Sequence, residues 1–378
     1  MNESHNFTAS FDSSGDDDGS GSGSGEYDIE EEISDVTQII VISAYAIIFL
    51  FSFVGNSLII HIVRTRTSIR QNSFNWLLVN TAVADLLDVI TASAFSVPFF
   101  LCENCWISGV IGTILCKLIP FLLDVSICVS IWTLTIIAAD RYLAIVCTGC
   151  QTQKKPLSSR AVVRSIIAVW LLAGLIFSGD LYKYKVEEAE EEEEEFAVCS
   201  HQWHVDSELS DILYQAEMIV KVVIAYAVPL VIMVVLYSLI VNFLWKHKPP
   251  GNTDQNQQAH AKRTRNFRAV IKMLMTAVAV FALCWLPVHV CHIMSEFYKD
   301  SYNDIPLIAK GLLYWLAHAN AAIHPWLFIT FSENLRREAK GISQSIYKET
   351  SMFLTNYVPS PCQLRSQPLN LLLAEQTQ

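Results

Sequence analysis

The chain has 378 residues, 52% of them hydrophobic and 17% charged, and a formal net charge of −11. Its apolar residues come in long blocks rather than short periodic patterns, which argues against a soluble helical core and for a membrane bundle. An acidic balance of this size gives no electrostatic footprint for nucleic acid, and no nucleic-acid partner is expected.

Residues 1–37 read as an acidic, disordered, Gly/Ser-rich tail, with Asp16-Asp17-Asp18 and Glu30-Glu31-Glu32 and no Lys or Arg before Arg64. Asn2-Glu3-Ser4 and Asn6-Phe7-Thr8 are glycosylation acceptors, useful only if this tail is lumenal. The tail has neither the basic start nor the apolar core of a secretory signal, so the first apolar block is expected to act as its own uncleaved signal.

Apolar blocks follow at about 38–63, 74–101, 113–139, 161–181, 216–245, 269–297 and 306–331. Each is long enough to cross a hydrocarbon core of about 30 Å. Residues 38–331 are therefore read as one seven-helix membrane domain. Arg64, Arg66 and Arg70 fill the first loop, Lys154, Lys155 and Arg160 the third, and Lys246, Lys248, Lys262, Arg263 and Arg265 the fifth. The alternate loops carry only Lys183, Lys185 and Lys299. This bias places the N-terminus outside and the C-terminus in the cytoplasm of a multi-pass membrane protein. Residues 332–347, which include Arg336, Arg337 and Lys340, are expected to form an amphipathic helix along the inner face. Residues 348–378 then form a cytoplasmic tail.

Cys116 and Asp140-Arg141-Tyr142 bracket the third span. They are 25 residues apart, roughly 37 Å of helix. Cys116 and Cys199 both fall on the oxidising side, which favours a bridge between them. Cys102 and Cys105 lack the second pair that a zinc site needs, and both a local disulfide and two free thiols stay open. Cys147, Cys150, Cys284 and Cys291 are expected to be unbridged.

Polar groups inside the bilayer are costly and mark function. Asn56, Asp85, Ser130, Asn320 and His324 form such a set, able to hold a small cation or a proton, or to serve only as a packing node. Pro287, beside Trp285 in span six, and Pro229, with Tyr237 in span five, predict kinked helices.

These motifs are Gly55-Asn56, Leu78-x-Asn80-x-x-x-Ala84-Asp85, Cys116, Asp140-Arg141-Tyr142, Trp170, Cys199, Pro229 with Tyr237, Cys284-Trp285-x-Pro287 and His324-Pro325-x-x-Phe328. In this order the chain resembles the class A (rhodopsin-like) G-protein-coupled receptors over about residues 38–345. The resemblance implies a heterotrimeric G protein as partner, with Arg141 contacting its C-terminal helix and Asp140 restraining Arg141 in the inactive state. It assigns Pro229, Ile131 and Phe281 to a transmission core beneath the ligand, with Trp285 as toggle. Asp85, Ser130 and Asn320 match a sodium pocket, and sodium as an allosteric ion is the one cofactor implied. Arrestin and receptor kinases are further implied partners, with Ser343, Ser345, Thr350 and Ser351 as candidate phosphorylation sites.

Two positions depart from the family pattern. His324 and Phe328 stand where the family has Asn and Tyr, which removes a link to Tyr237 and sets a titratable ring beside Asp85. Phe267 or Arg268 stands where some relatives place an acid facing the Arg of the triad, so that ionic lock is expected to be missing.

The stretch from Trp106 through Phe121, with Thr133-Leu134-Thr135, is similar to the neuropeptide branch, especially receptors for RF-amide and orexin peptides. The position where amine receptors carry an Asp is Leu123, with Asp124 next to it on another face, so an amine or other non-peptide ligand is the weaker alternative. His318 stands where an opsin needs its Schiff-base lysine. Glu187, Glu188 and Glu190 to Glu195 make the mouth strongly negative and suited to a cationic ligand. Glu296 matches the acid that pairs ligand arginine in receptors for amidated peptides. Glu217, His289, His292 and Tyr314 are candidate linings beside Leu123, Asp124 and His318. Lys221 either neutralises Glu217 one turn earlier or meets a ligand carboxylate. Glu26-Tyr27-Asp28 resembles a sulfation site. No nucleophile–base constellation or metal site is read, so chemistry on the ligand is not expected. A seven-span transporter or channel is the alternative from another class, disfavoured by the lack of an internal repeat.

Overall fold

The computed structural model describes residues 35–102, 105–147, 156–191, 194–203, 207–246 and 255–357. Asn2, Asn6, Tyr27 and most of both tails lie outside the described residues.

In chain order the elements are α1 (Asp35–Thr65), α2 (Thr67–Arg70), α3 (Ser73–Cys102), β1 (Cys105–Trp106), α4 (Gly109–Tyr142), α5 (Ser159–Ile176) and α6 (Asp180–Lys183). There follow β2 (Tyr184–Glu191), β3 (Glu194–His201), α7 (Ser207–Val222), α8 (Val228–Lys246), α9 (Gln255–Phe297), α10 (Lys299–Asn303), α11 (Leu307–Phe331) and α12 (Glu333–Tyr357). Two π-helical segments interrupt this series, Leu143–Cys147 after α4 and Val223–Ala227 between α7 and α8.

Among the described residues, six helices are long and apolar enough to cross a membrane: Gln38–Thr65, Ser73–Pro98, Gly109–Cys147, Ser159–Ile176, Glu208–Lys246 and Phe267–Phe297. α11 is the seventh member of the bundle, packed against α1, α3 and α9. It carries Lys310, His318, Asn320 and His324, and the last three are buried. The arrangement suits lipid as solvent. Leu50, Leu171, Leu175, Val231 and Leu283 point outward, while Asn56, Asn80, Asp85, Asp88 and His324 are inside.

Several boundaries differ from the sequence expectation. The fourth helix stops at Ile176 rather than 181; the chain turns through Phe177 to Gly179 and restarts as α6. A Cβ on Gly179 would lie 2.4 Å from the Trp203 ring, so the turn fits beneath that indole only with glycine. The helices of spans five and six start earlier than the apolar blocks, at Ser207 and Gln255. The helix expected over 332–347 runs on to Tyr357. Pro229 explains the π segment before α8. It has no N–H to offer the carbonyl four residues back, and Val228 N–H reaches instead to the Val223 carbonyl, five residues back.

The loop between the fourth and fifth spans adds a feature the helical reading lacked. β1, β3 and β2 form an antiparallel sheet in that order, with Val186 opposite Cys199 and Glu190 opposite Glu195. Glutamate disfavours strands, but a disulfide joins Cys116 to Cys199 and anchors β3 to α4. Cys105 is also disulfide-bonded, which excludes a free thiol there. Cys147, Cys284 and Cys291 form no disulfide with a described residue, and Cys150 lies outside the described residues.

Gly55 brings α1 and α11 together. A Cβ there would stand 2.7 Å from Pro325 Cγ, so any larger residue forces the two helices apart.

Candidate functional site

Beneath the β-hairpin, three carboxylates and two ammonium groups converge. The carboxylate oxygens of Asp124 (α4), Asp180 (α6) and Glu217 (α7) lie within 4.8 Å of one another. Lys221 sits 2.6 Å from Asp124 and 2.7 Å from Glu217. Lys183 sits 2.8 Å from Asp180 and also pairs with Glu217. Trp203 Nε1 donates to the other Glu217 oxygen at 2.8 Å. The cations among these acids thus come from the chain itself. Of the two roles open to Lys221, it takes the neutralising one, and it spans to Asp124 as well. Leu123 faces elsewhere, against the cluster of Tyr45, Ala319 and Ala322.

The hairpin is held over this pocket by aromatic contacts. The His201 ring lies 5.4 Å from Tyr184 and 5.5 Å, edge-on, from Tyr214, whose hydroxyl donates to the His201 carbonyl. Burial, reinforced by the Lys183 ammonium, pushes the His201 pKa down to about 4. The ring is therefore neutral at physiological pH. Glu296 is half-buried near the end of α9 and makes no ion pair with a described residue.

Below the charged pocket runs a column of rings. His292 contacts Tyr314 at 5.6 Å and His289 at 6.1 Å, and His289 contacts Trp285 at 5.8 Å. Trp285 stacks on Phe281 at 6.0 Å and meets His318 edge-on at 5.7 Å. Tyr226 lies beside both His289 and Phe281 and donates its hydroxyl to the Ala282 carbonyl, five residues before Pro287. Ile131, Pro229 and Phe281 are all buried nearby in the bundle interior. Tyr226 was not singled out in the sequence; lying three residues before Pro229, it falls on the same face of that span.

Two buried imidazole–carboxylate pairs lie deeper. His318 Nδ1 is 3.0 Å from Asp88 Oδ1, and His324 Nδ1 is 3.1 Å from Asp85 Oδ2. Ser130 Oγ donates to the other Asp85 oxygen at 2.7 Å. Asn320 is buried alongside, on the same helix face as His324. Asp88 was missed in the sequence, although it lies three residues after Asp85 on one helix face. It is the buried partner of His318, one of the candidate linings.

At the opposite end of α4, Asp140 is buried and its Oδ2 pairs with Arg141. Its Oδ1 accepts from Leu157 N–H at 2.9 Å. The Arg141 guanidinium lies over the Phe74 ring, 4.2 Å from the centroid. Among the described residues Arg141 forms a salt bridge with Asp140 alone, and Phe74 is a second contact not read from the sequence. Tyr142 packs at the edge of the main core. Tyr237 is buried with no hydrogen bond from its hydroxyl to a described residue, and Phe328 is stacked on His324 at 5.8 Å.

Comparison with known proteins places this geometry. The sequence matches the family described as 7 transmembrane receptor (rhodopsin family) over residues 55–328. It is 29% identical over 310 residues to a QRFP-like peptide receptor of Branchiostoma floridae, covering 81% of this chain and 78% of that one. It is 28% identical over 318 residues to the pyroglutamylated RF-amide peptide receptor of Rattus norvegicus, covering 82% and 71%. It is 26% identical over 308 residues to galanin receptor type 1 of Mus musculus, covering 81% and 82%. The family match runs from the Gly55 contact of the first helix to Phe328 of the seventh, and the chain belongs to the rhodopsin family of seven-transmembrane receptors.

Proposed function

We propose that the chain is a plasma-membrane receptor for an extracellular cationic, amidated peptide, and that it signals through a heterotrimeric G protein. The observation that carries the reading is Glu296, half-buried near the end of α9 with no ion pair to a described residue, at the opposite end of the bundle from Arg141. Its relatives bear the names of peptide receptors. The hairpin end faces outside the cell, in keeping with the distribution of Lys and Arg among the loops. Glu296, which has no ion-pair partner among the described residues, takes the ligand guanidinium, with His289, His292 and Tyr314 beneath it. Ligand affinity that is greater for the active state favours repacking of Trp285 against Phe281 and His318, and an outward swing of α9 about Pro287. Arg141 then leaves Asp140 and meets the G protein.

Arrestin and receptor kinases act at the Ser343, Ser345, Thr350 and Ser351 end. His324 takes the place of sodium beside Asp85, so signalling depends on pH; an unchanged profile for His324→Asn between about pH 6 and about pH 8 would sink that part.

The test is a panel of short amidated peptides, with and without arginine, applied to cells expressing the full chain, with G-protein activation as readout. Arginine peptides are expected to activate the wild type, to lose potency on Glu296→Gln, and to give no response on Arg141→Ala. Activation by arginine-free peptides alone, or unchanged potency on Glu296→Gln, overturns the ligand assignment.

A further inference from the structure

On the outer, lipid-facing side of the bundle, α8 and α9 leave a trough between them. Two adjoining hollows of about 440 and 590 Å³ run along it, sharing Val241, Trp245, Met275 and Ala279. The α9 wall is a single face, Arg268, Lys272, Met275, Thr276 and Ala279, recurring at three- and four-residue intervals. The trough continues to Ala282, and from Arg268 that is 14 residues, roughly 21 Å of helix. One leaflet of a bilayer about 40–45 Å thick, headgroup regions included, is about half that thickness and so of similar depth. The trough is thus about one leaflet deep, lined mainly by apolar side chains, and its cationic lining residues lie at one mouth.

That mouth has the chemistry of a headgroup site. Arg268 and Lys272 are one helical turn apart and exposed, and neither forms an ion pair with a described residue. Trp245, 73% exposed, stands at the same level, where an amphipathic ring prefers the boundary between headgroups and chains. A second copy of the chain pairing through this face about a two-fold axis would set these cations against their own counterparts. A lipid with a negative headgroup satisfies both ends at once.

We propose that this trough binds one anionic phospholipid, with its phosphate between Arg268 and Lys272 and one acyl chain along Val241, Met275 and Ala279. Because α8 and α9 are the two walls, a change in their separation changes the fit. Occupancy and the position of α9 are therefore linked.

The experiment places the full chain in phosphatidylcholine nanodiscs carrying increasing fractions of brominated-chain phosphatidylglycerol or brominated-chain phosphatidylcholine. Bromine quenches tryptophan on contact, and the difference between wild type and Trp245→Phe isolates Trp245. Half-quenching by the phosphatidylglycerol is expected at a mole fraction about fivefold to about thirtyfold lower than by the phosphatidylcholine, the range for one and two basic contacts. Arg268→Gln/Lys272→Gln, both at exposed positions, is expected to erase the difference. Equal quenching by the two lipids in the wild type overturns the proposal, as does a preference that survives the double substitution. So does absence of Trp245 quenching by either lipid, the result if a second copy covers the trough. The readout uses neither peptide nor G protein, so it stands or falls apart from the receptor reading.

Discussion

His324 and Asp85 meet at 3.1 Å in the bundle interior, with Ser130 on the other carboxylate oxygen. The His324 side chain is wholly buried and that of Asp85 nearly so. Removing one member of such a pair leaves a charge or an unsatisfied polar group in a low dielectric, at a cost of about 3–5 kcal/mol. His324→Leu is expected to lose stability on that scale, and Asp85→Asn in the same background to recover most of it. Thermal melts of the purified wild type, single and double variants measure this; additive losses would mean that the two residues are not coupled.

Lys183 and Lys299 both pair with carboxylates, in different settings. Lys183 is 3% exposed and serves Asp180 and Glu217, whereas Lys299 is 45% exposed and stands 3.4 Å from Asp211. An exposed pair contributes about 0–1 kcal/mol, while a buried one costs several when broken. Lys183→Met should therefore lower the melting temperature clearly more than Lys299→Met. Equal effects would show that the charged pocket is solvated.

Phe74 carries the Arg141 guanidinium on its face at 4.2 Å. A cation–π contact of this kind contributes about 0.5–2 kcal/mol, which corresponds to about a twofold to thirtyfold shift in a two-state population. Phe74→Leu is expected to raise ligand-free nucleotide exchange on the G protein, and Asp140→Asn to raise it further. Unchanged basal exchange in Phe74→Leu removes Phe74 from the restraint.

His201 gives a pH dependence with a definite sign. Its folded pKa, pushed down to about 4 by burial and the Lys183 cation, is below its ordinary value of 6.5. Between those values the unfolded chain binds more protons than the folded one, so stability rises with pH across the window. Acidification below about pH 6.5 should loosen the hairpin, with little effect above it. Melting temperatures of wild type and His201→Phe, compared at neutral pH and at about pH 5, should diverge at the acidic end only.

The parts of this molecule that could be read in advance are those set by bilayer thickness and local spacing. Apolar blocks of the right length gave seven helices, and Asp85, Trp285 and Pro287 fell inside them. Contacts across helices were harder, because they depend on how each helix is rotated. Lys221 was legible as a partner for Glu217 one turn away but not for Asp124 on α4. Lys183, 34 residues before Glu217, gave no local signal of its role. The hairpin was hidden because a glutamate run disfavours strands until the Cys116–Cys199 bridge anchors it. The His318–Asp88 contact joins positions 230 residues apart and likewise leaves no local signal.

The π segment at Val223–Ala227 sets the angular phase between the two halves of the fifth span. A regular helix turns about 100° per residue, so deleting one residue within 223–227 would rotate α7 against α8 by about that angle. Lys221 would swing away from Asp124 while Tyr237, beyond Pro229, kept its place in the core. The half that lines the charged pocket can thus be re-aimed by a single deletion without disturbing the half beside Arg141, which makes the two ends of this helix separable by insertion and deletion as well as by substitution.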